Sequence, residues 1–316
     1  MNLRHWNLRH WIDSVRSAVL PSPKMPVLTK IRIFPTGMRL HEWIAFAEGF
    51  FSEQGLEPEV MWDVYHGQMK AWTGGYKARP QDKPFLEGAQ AIGNACAWGS
   101  VCNAGAGMGK FVPDAYGVAR HAIYVRPDSR IHRPEDLRGV PVAVGLMAGS
   151  HYNVPYRLEK HLPLEDIKIA PVGGFGRRLE ALLNGEVEAA SLLDPQIYMA
   201  EELGLRKILD GIFNTLWWVD ETSDRDVLRR YFTALARADA AIERDLARYL
   251  SLWAKCVPPE FADRAWRTET WGAGERFVFA PYPAEKLEEV MAAIHRWGMG
   301  REMHVTEFDR LALSLA

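Results

Sequence analysis

Two groups of residues in this chain stand where binding or catalysis could occur. The first is Gly37, Arg39 and His41, after the apolar run KIRIFP at 30–35, together with Trp98, Gly99 and Ser100, after a small-residue run that ends near Cys96. The second is Met147, Gly149, Ser150 and His151 after VPVAVG at 140–145; Gly173, Gly174 and Arg177 after IKIAPV at 167–172; and Asp194 after VEAASLL at 187–193. Each set follows a predicted strand and leads into a predicted helix. Helix starts carry free backbone N–H groups that attract anions. In open α/β sheets, ligands dock outside the carboxyl ends of strands. Arg39 and Arg177 could each meet a carboxylate or similar anion with paired donors.

Every member of these groups also has a plainer role. Arg39 could be a surface charge, and His41 could simply begin a helix. Trp43 lies at core spacing. Ser150 suits a helix cap. Pro155 offers a second possibility, a helix starting at Val154 and capped by Asn153. Arg177 falls in a first helical turn, where its charge opposes the dipole, so an anion or an acidic partner is expected beside it. Asp194 precedes Pro195 in the pattern of a cap followed by proline at the first helical position.

Cys96 and Cys102 are separated by five residues, with no second pair at a set spacing, which does not suit zinc. No metal and no cofactor are expected. Cys96 could be a nucleophile if the fold brings His66, His121 or His151 near. Lying between alanines, it could equally be a small buried hydrophobe. If the chain is an enzyme, the catalytic candidates are His151, Arg177 and Cys96. The arginine would hold a carboxylate, and the histidine would exchange a proton with a developing carbanion. Gly105 to Lys110 lacks phosphate-loop spacing and reads as a segment at a pocket mouth, with Lys110 available to an anion.

The elements that must position these residues alternate. Helices are predicted over 42–54, 150–161, 177–184, 195–203 and 284–297, and strands over 30–35, 56–64, 122–125, 140–145, 167–172, 187–193, 206–209 and 215–219. Strands alternating with helices imply parallel pairing. The chain has 316 residues, 48% of them apolar. That is enough for two lobes. A net charge of −2 gives no reason to expect nucleic acid, and no apolar run approaches the ~18 residues of a membrane span. Twelve tryptophans make an aromatic-lined pocket plausible. The tandem NLRHW at 2–6 and 7–11 opens a stretch with no apolar secretory segment. A cytoplasmic protein is therefore expected, or a periplasmic one if the written start is wrong; Met25 is an alternative start.

The segments RPEDLRGVPVAVGLMAGS at 133–150 and WIAFAEGFFSEQGLEPEV at 43–60 resemble solute-binding proteins of the nitrate/sulfonate/taurine importer type. This superfamily also contains thiamine-pyrimidine synthase, whose cysteine-rich stretch is absent here, and aromatic-acid decarboxylases. The resemblance implies a type II periplasmic-binding-protein fold: α/β, two lobes, each a mixed, mostly parallel sheet flanked by helices, with a ligand cleft between them. Residues 1–26 are expected to be an extension, either a short amphipathic helix or flexible, and the resemblance implies a first lobe of 27–123 plus 215–316 and a second lobe of 124–214. The expected function is binding of a small organic anion or aromatic acid as part of an ABC-type importer, with a membrane permease as partner. The alternative is a decarboxylase or hydrolase on the same fold. The ligand contacts expected are Arg39, His41, Trp98, Ser100, Met147, Ser150, His151, Gly174, Arg177 and Asp194.

Overall fold

The structure, a computed structural model, describes residues 28–34, 39–67, 81–87, 91–300 and 302–316. Gly37, the side chain of His66 and the proposed extension over 1–26 lie outside the described residues.

Among the described residues, nine strands join in one hydrogen-bonded sheet: β1 (Thr29–Phe34), β2 (Leu56–Val60), β3 (Ala91–Cys96), β4 (Lys110–Val125), β5 (Pro141–Val144), β6 (Lys168–Pro171), β7 (Ala189–Leu193), β8 (Arg206–Val219) and β9 (Arg276–Val278). Their order is β2-β1-β3-β8-β4-β7-β5-β6, with β9 also on β4. At one end β1 pairs parallel with β2 and β3; at the other, β5 pairs parallel with β6 and β7. Between them β4 and β8 are antiparallel along nearly their whole lengths, with β-bulges at 112/116 and 123/124. The two sheets expected for two lobes are therefore joined. The runs predicted at 206–209 and 215–219 are one strand, because Asp210 to Asn214 also find ladder partners on β4.

Among the described residues the α-helices of seven or more residues are α1 (Leu40–Ala47), α2 (Ala97–Gly105), α3 (Gly149–Leu158), α4 (Phe175–Leu183), α5 (Gln196–Glu202), α6 (Arg225–Asp245) and α7 (Ala284–Arg296). The helix predicted over 42–54 breaks at Gly49, whose φ is 73°. Glycine adopts that left-handed conformation readily. On α6, Leu228, Tyr231, Phe232, Leu235, Ala238 and Ile242 are buried at three- and four-residue spacing, which makes one apolar stripe against α1 and the sheet. Most of the described tryptophans are core. Trp43, Trp98, Trp217, Trp218, Trp253 and Trp271 are all buried, and the Trp43 indole N–H donates to the Cys256 sulfur at 3.0 Å. Burying each such ring contributes on the order of 2–3 kcal/mol.

One feature of the sheet positions the site. β7 and β9 share the edge of β4 that faces away from β8: β9 pairs with 116–118 and β7 with 121–125. Asp194 leaves the end of β7 and Glu275 precedes β9, so both flank the short stretch at Ala119 and Arg120 that neither strand pairs.

Candidate functional site

At the carboxyl ends of β5 and β6, the loops leading into α3 and α4 meet over one buried side chain. In the first loop, the Gly145 N–H donates to the Ser150 hydroxyl at 2.9 Å, and the Met147 N–H donates to His151 Nδ1 at 3.0 Å. These two α3 side chains fold the loop back on the helix start. Met147 takes a φ of 54°, the only positive φ of a non-glycine residue among the described residues. Side chains other than glycine's seldom tolerate that region. Ser150 therefore ties the loop instead of capping the helix. The residue at the cap position is Ala148, and Asn153 sits inside α3, donating to the Gly149 carbonyl at 2.8 Å. Pro155 lies within the helix, so the later start at Val154 is not the one taken.

The buried side chain is Arg178. It is 2% exposed. Its Nη1 donates to the Gly173 carbonyl at 3.1 Å, and its guanidinium lies 5.4 Å from the Phe175 ring centroid. It is close enough to Gly145 that a Cβ there would stand 2.9 Å from Nη1. Nε and Nη2 have no hydrogen-bond partner among the described residues. Burial, with no carboxylate acting on it, pulls the guanidinium down to about 9, since a low-dielectric surround disfavours the charged form. Arg177, the sequence candidate, points the other way. It pairs with Glu180 at 3.2 Å and with Glu186, on the surface. The acidic partner expected beside it is present, and the basic group turned inward is its neighbour.

A hydrogen-bond chain runs from this corner to β4. The Ser191 hydroxyl donates to the Ser150 carbonyl at 3.3 Å and lies 2.8 Å from His121 Nε2, which then carries the proton. His121 Nδ1 is left as a buried acceptor without a partner among the described residues. Burial, reinforced by Arg157 and Arg178, lowers this imidazole to about 3, so it is neutral.

The stretch of β4 between β7 and β9 carries the second polar group. Both oxygens of Asp194 are buried and have no hydrogen-bond partner among the described residues, with Arg120 Nη1 at 3.7 Å. Asp194 does not cap α5: the residue at the cap position is Pro195, after a cis peptide bond. Glu275 accepts from Thr215 Oγ1 at 2.6 Å, and Thr215 accepts from Asn94 Nδ2 at 3.1 Å. Burial raises both Asp194 and Glu275 to about 7, opposed by Arg120 and Arg39 respectively. Gly117 makes room for this arrangement, because a Cβ there would overlap the Glu275 carboxylate and the Thr215 hydroxyl. Gln196 is also fully buried, with neither Oε1 nor Nε2 hydrogen-bonded among the described residues. Buried polar groups are normally paired. Arg178, His121, Asp194, Gln196, Asn94 and Glu275 all carry unmet atoms. They lie near strand ends or the β4 gap, where a polar ligand or ordered water would satisfy them.

The candidates at the other end of the sheet are largely structural. Arg39 is wholly buried, 3.2 Å from Glu42 and 5.8 Å from the Trp217 ring centroid, not a surface charge. His41 Nδ1 faces the Glu275 carbonyl at 3.2 Å, and burial lowers it to about 3. Ser100 donates to the Leu216 carbonyl at 3.1 Å. Trp98 packs among Tyr152, Tyr156, Phe213 and Trp297. Cys96 precedes α2, and its sulfur accepts the Gly99 N–H at 3.3 Å. Lys110 begins β4 and binds the Arg310 carbonyl. His151 lines an outer groove of about 360 Å³ with Pro155, Ile169 and Trp297. Arg177 is held near the surface by Glu180 and Glu186. Gly174 stands at the start of α4, beside Arg178. Among the described residues no three His, Cys, Asp or Glu side chains are grouped to hold a metal ion.

No known family profile and no curated protein matches the chain. Solved structures do match. The alkanesulfonate-binding protein SsuA from Xanthomonas axonopodis pv. citri, bound to MOPS, superposes with a TM-score of 0.65 at 16% identity, over 90% of this chain and 98% of that one. The periplasmic aliphatic sulphonate binding protein SsuA from Escherichia coli gives 0.60 at 15%, over 89% and 91%. The desulfurization enzyme DSZB gives 0.56 at 14%, over 90% and 96%; a DSZB mutant has also been solved in complex with biphenyl-2-sulfinic acid. The chain therefore has the periplasmic-binding-protein fold.

Proposed function

We propose that this chain is a solute-binding protein that closes on one small organic anion, whose charged head is taken by Arg178 and the starts of α3 and α4. The observation that carries the reading is Arg178 itself: a buried cation with two N–H-bearing nitrogens unbonded, and no carboxylate acting on it, among the described residues. Such a group is costly to bury unless something anionic completes it. The starts of α3 and α4 lie at the same corner and supply further N–H donors. Phe175 and Met147, both half-buried, give the head an apolar surround. That suits a sulfonate, sulfinate or carboxylate on an apolar or aromatic body. The SsuA structures add weight, since both are of sulfonate-binding proteins. A membrane permease of an ABC-type importer is the partner that goes with this role.

A catalytic reading has one observation behind it: DSZB, a desulfurization enzyme, shares the fold. Here two buried carboxyls raised to about 7, Asp194 and Glu275, would be the proton-exchanging groups. Native mass spectrometry of the purified protein tests both readings, followed by incubation with MOPS, alkanesulfonates, aromatic carboxylates and biphenyl-2-sulfinate. One anion retained per chain and recovered unchanged is expected. Product formation would favour the enzyme, and absence of any bound anion would overturn the binding reading.

A further inference from the structure

The geometry points to His151 as the positioning residue of the anion site: it does not touch the ligand but holds the β5–α3 loop in the shape that binds it. The inference rests on the anion-binding reading above. Three observations lead to it. His151 Nδ1 accepts the Met147 N–H at 3.0 Å across one helical turn. Met147 is held at a φ of 54°. This left-handed conformation costs a non-glycine residue roughly 1 kcal/mol or more and persists only where surroundings impose it. The same loop carries Gly145, which lies over Arg178 Nη1, and runs into the start of the ten-residue helix α3.

The imidazole is aimed at the loop and the outer groove. Behind it stand Pro155, Ile167, Ile169 and Trp297, and the charged groups on that side are Glu165 and Arg296. Arg296 is already held by Glu159 through two hydrogen bonds, at 2.7 and 3.0 Å. Tyr152 is the neighbouring ring on α3 itself, 5.7 Å away. To accept the Met147 N–H, Nδ1 must be unprotonated. Burial keeps it so by lowering the imidazole to about 4, the direction expected for a desolvated histidine. In this state the loop is pinned twice, by Ser150 at Gly145 and by His151 at Met147. Between and beyond the pins the loop passes against Arg178 at Gly145 and runs into the start of α3. Losing the second pin releases a strained turn, and each donor in the loop must then be ordered again by the ligand.

The test compares His151→Ala with His151→Asn, whose Oδ1 can accept the same N–H, using MOPS as the titrated anion. The alanine variant is expected to bind about tenfold more weakly, roughly one hydrogen bond's worth, and the asparagine variant within about twofold of the unaltered protein. Amide hydrogen exchange at Met147, measured without ligand, should speed up in the alanine variant and stay slow in the asparagine variant. Between pH 5 and pH 4 the unaltered protein should lose affinity relative to His151→Asn. Equal affinities for all three proteins, or an asparagine variant as weak as alanine, would overturn the inference. Arg178→Gln separates the two claims. If that variant binds MOPS normally while His151→Ala still loosens Met147, the anion reading fails and the pin stands. If His151→Ala leaves Met147 protected, the pin fails whatever Arg178 does.

Discussion

Arg178 donates to the Gly173 carbonyl at 3.1 Å in the interior, whereas Arg177, one residue earlier, is held on the surface by Glu180 and Glu186. Adjacent residues of a helix are about 100° apart, so one of any such pair tends to face in. What is unusual is that the inward one has no acid. Replacing Arg178 by methionine should abolish anion binding while leaving the ligand-free protein as stable or about 1–2 kcal/mol more so, because an uncompensated buried cation is removed. Thermal unfolding with and without MOPS reads both effects. Arg177→Ala should change neither by a measurable amount, since exposed ion pairs contribute little.

Asp194 and Glu275 make stability depend on pH in a definite direction. Their folded values, about 7, lie above their ordinary ones, so the folded state holds protons that the unfolded state releases. Each therefore removes stability as pH rises from about 4 to about 7 and has no further effect above that. His41 and His121, lowered to about 3, act oppositely: they remove stability as pH falls below about 6.5. The unaltered protein mixes both trends, so a difference isolates one. Asp194→Asn should gain stability over the unaltered protein progressively from pH 5 to about pH 7, by roughly 1–3 kcal/mol, and then hold level to pH 8. A constant offset across that range would contradict the assignment.

Gly117 is required by its neighbours and not by its backbone. An added methyl there must displace the Glu275 carboxylate from Thr215. Gly117→Ala should therefore destabilise the chain by about 1–3 kcal/mol. Much of that loss should be absent when Glu275 is already alanine, and a double-mutant cycle in denaturant measures the coupling.

The face of α3 bearing Tyr152, Tyr156 and Glu159 meets α2 and α7 from the other end of the sheet. Glu159 takes two hydrogen bonds from Arg296 and one from the Trp297 indole, and the Tyr156 hydroxyl donates to Glu289 at 2.8 Å. These contacts tie the α3 end of the sheet to α7. Glu159→Ala should speed anion release about threefold to tenfold with little change in association, since losses of this kind usually appear in the off-rate. Stopped-flow displacement of bound MOPS would show it.

Most of the framework can be read from the sequence, because apolar alternation and glycine stops mark β1, β5, β6, β7 and the helices between them. Two features depend on distant partners and leave no local mark. The joining of two sheets into one needs residues 210–214 to pair with β4. The identity of the inward arginine needs the helix phase. Leu179, Ala181 and Leu182 set a buried stripe that includes Arg178 and leaves out Arg177, and counting turns from those leucines would have found it. Glu275 has weaker signals, a lone acid after Gly-Ala-Gly before a short strand. His121 has none, since only pairing with β7 brings Ser191 to its ring.

One titration tests the role of Arg178 most directly. MOPS is added to the unaltered protein, to Arg177→Gln and to Arg178→Gln, and the heat of binding is followed. One anion per chain for the first two and at least hundredfold weaker binding for the third is the predicted result; equal binding by all three would contradict it.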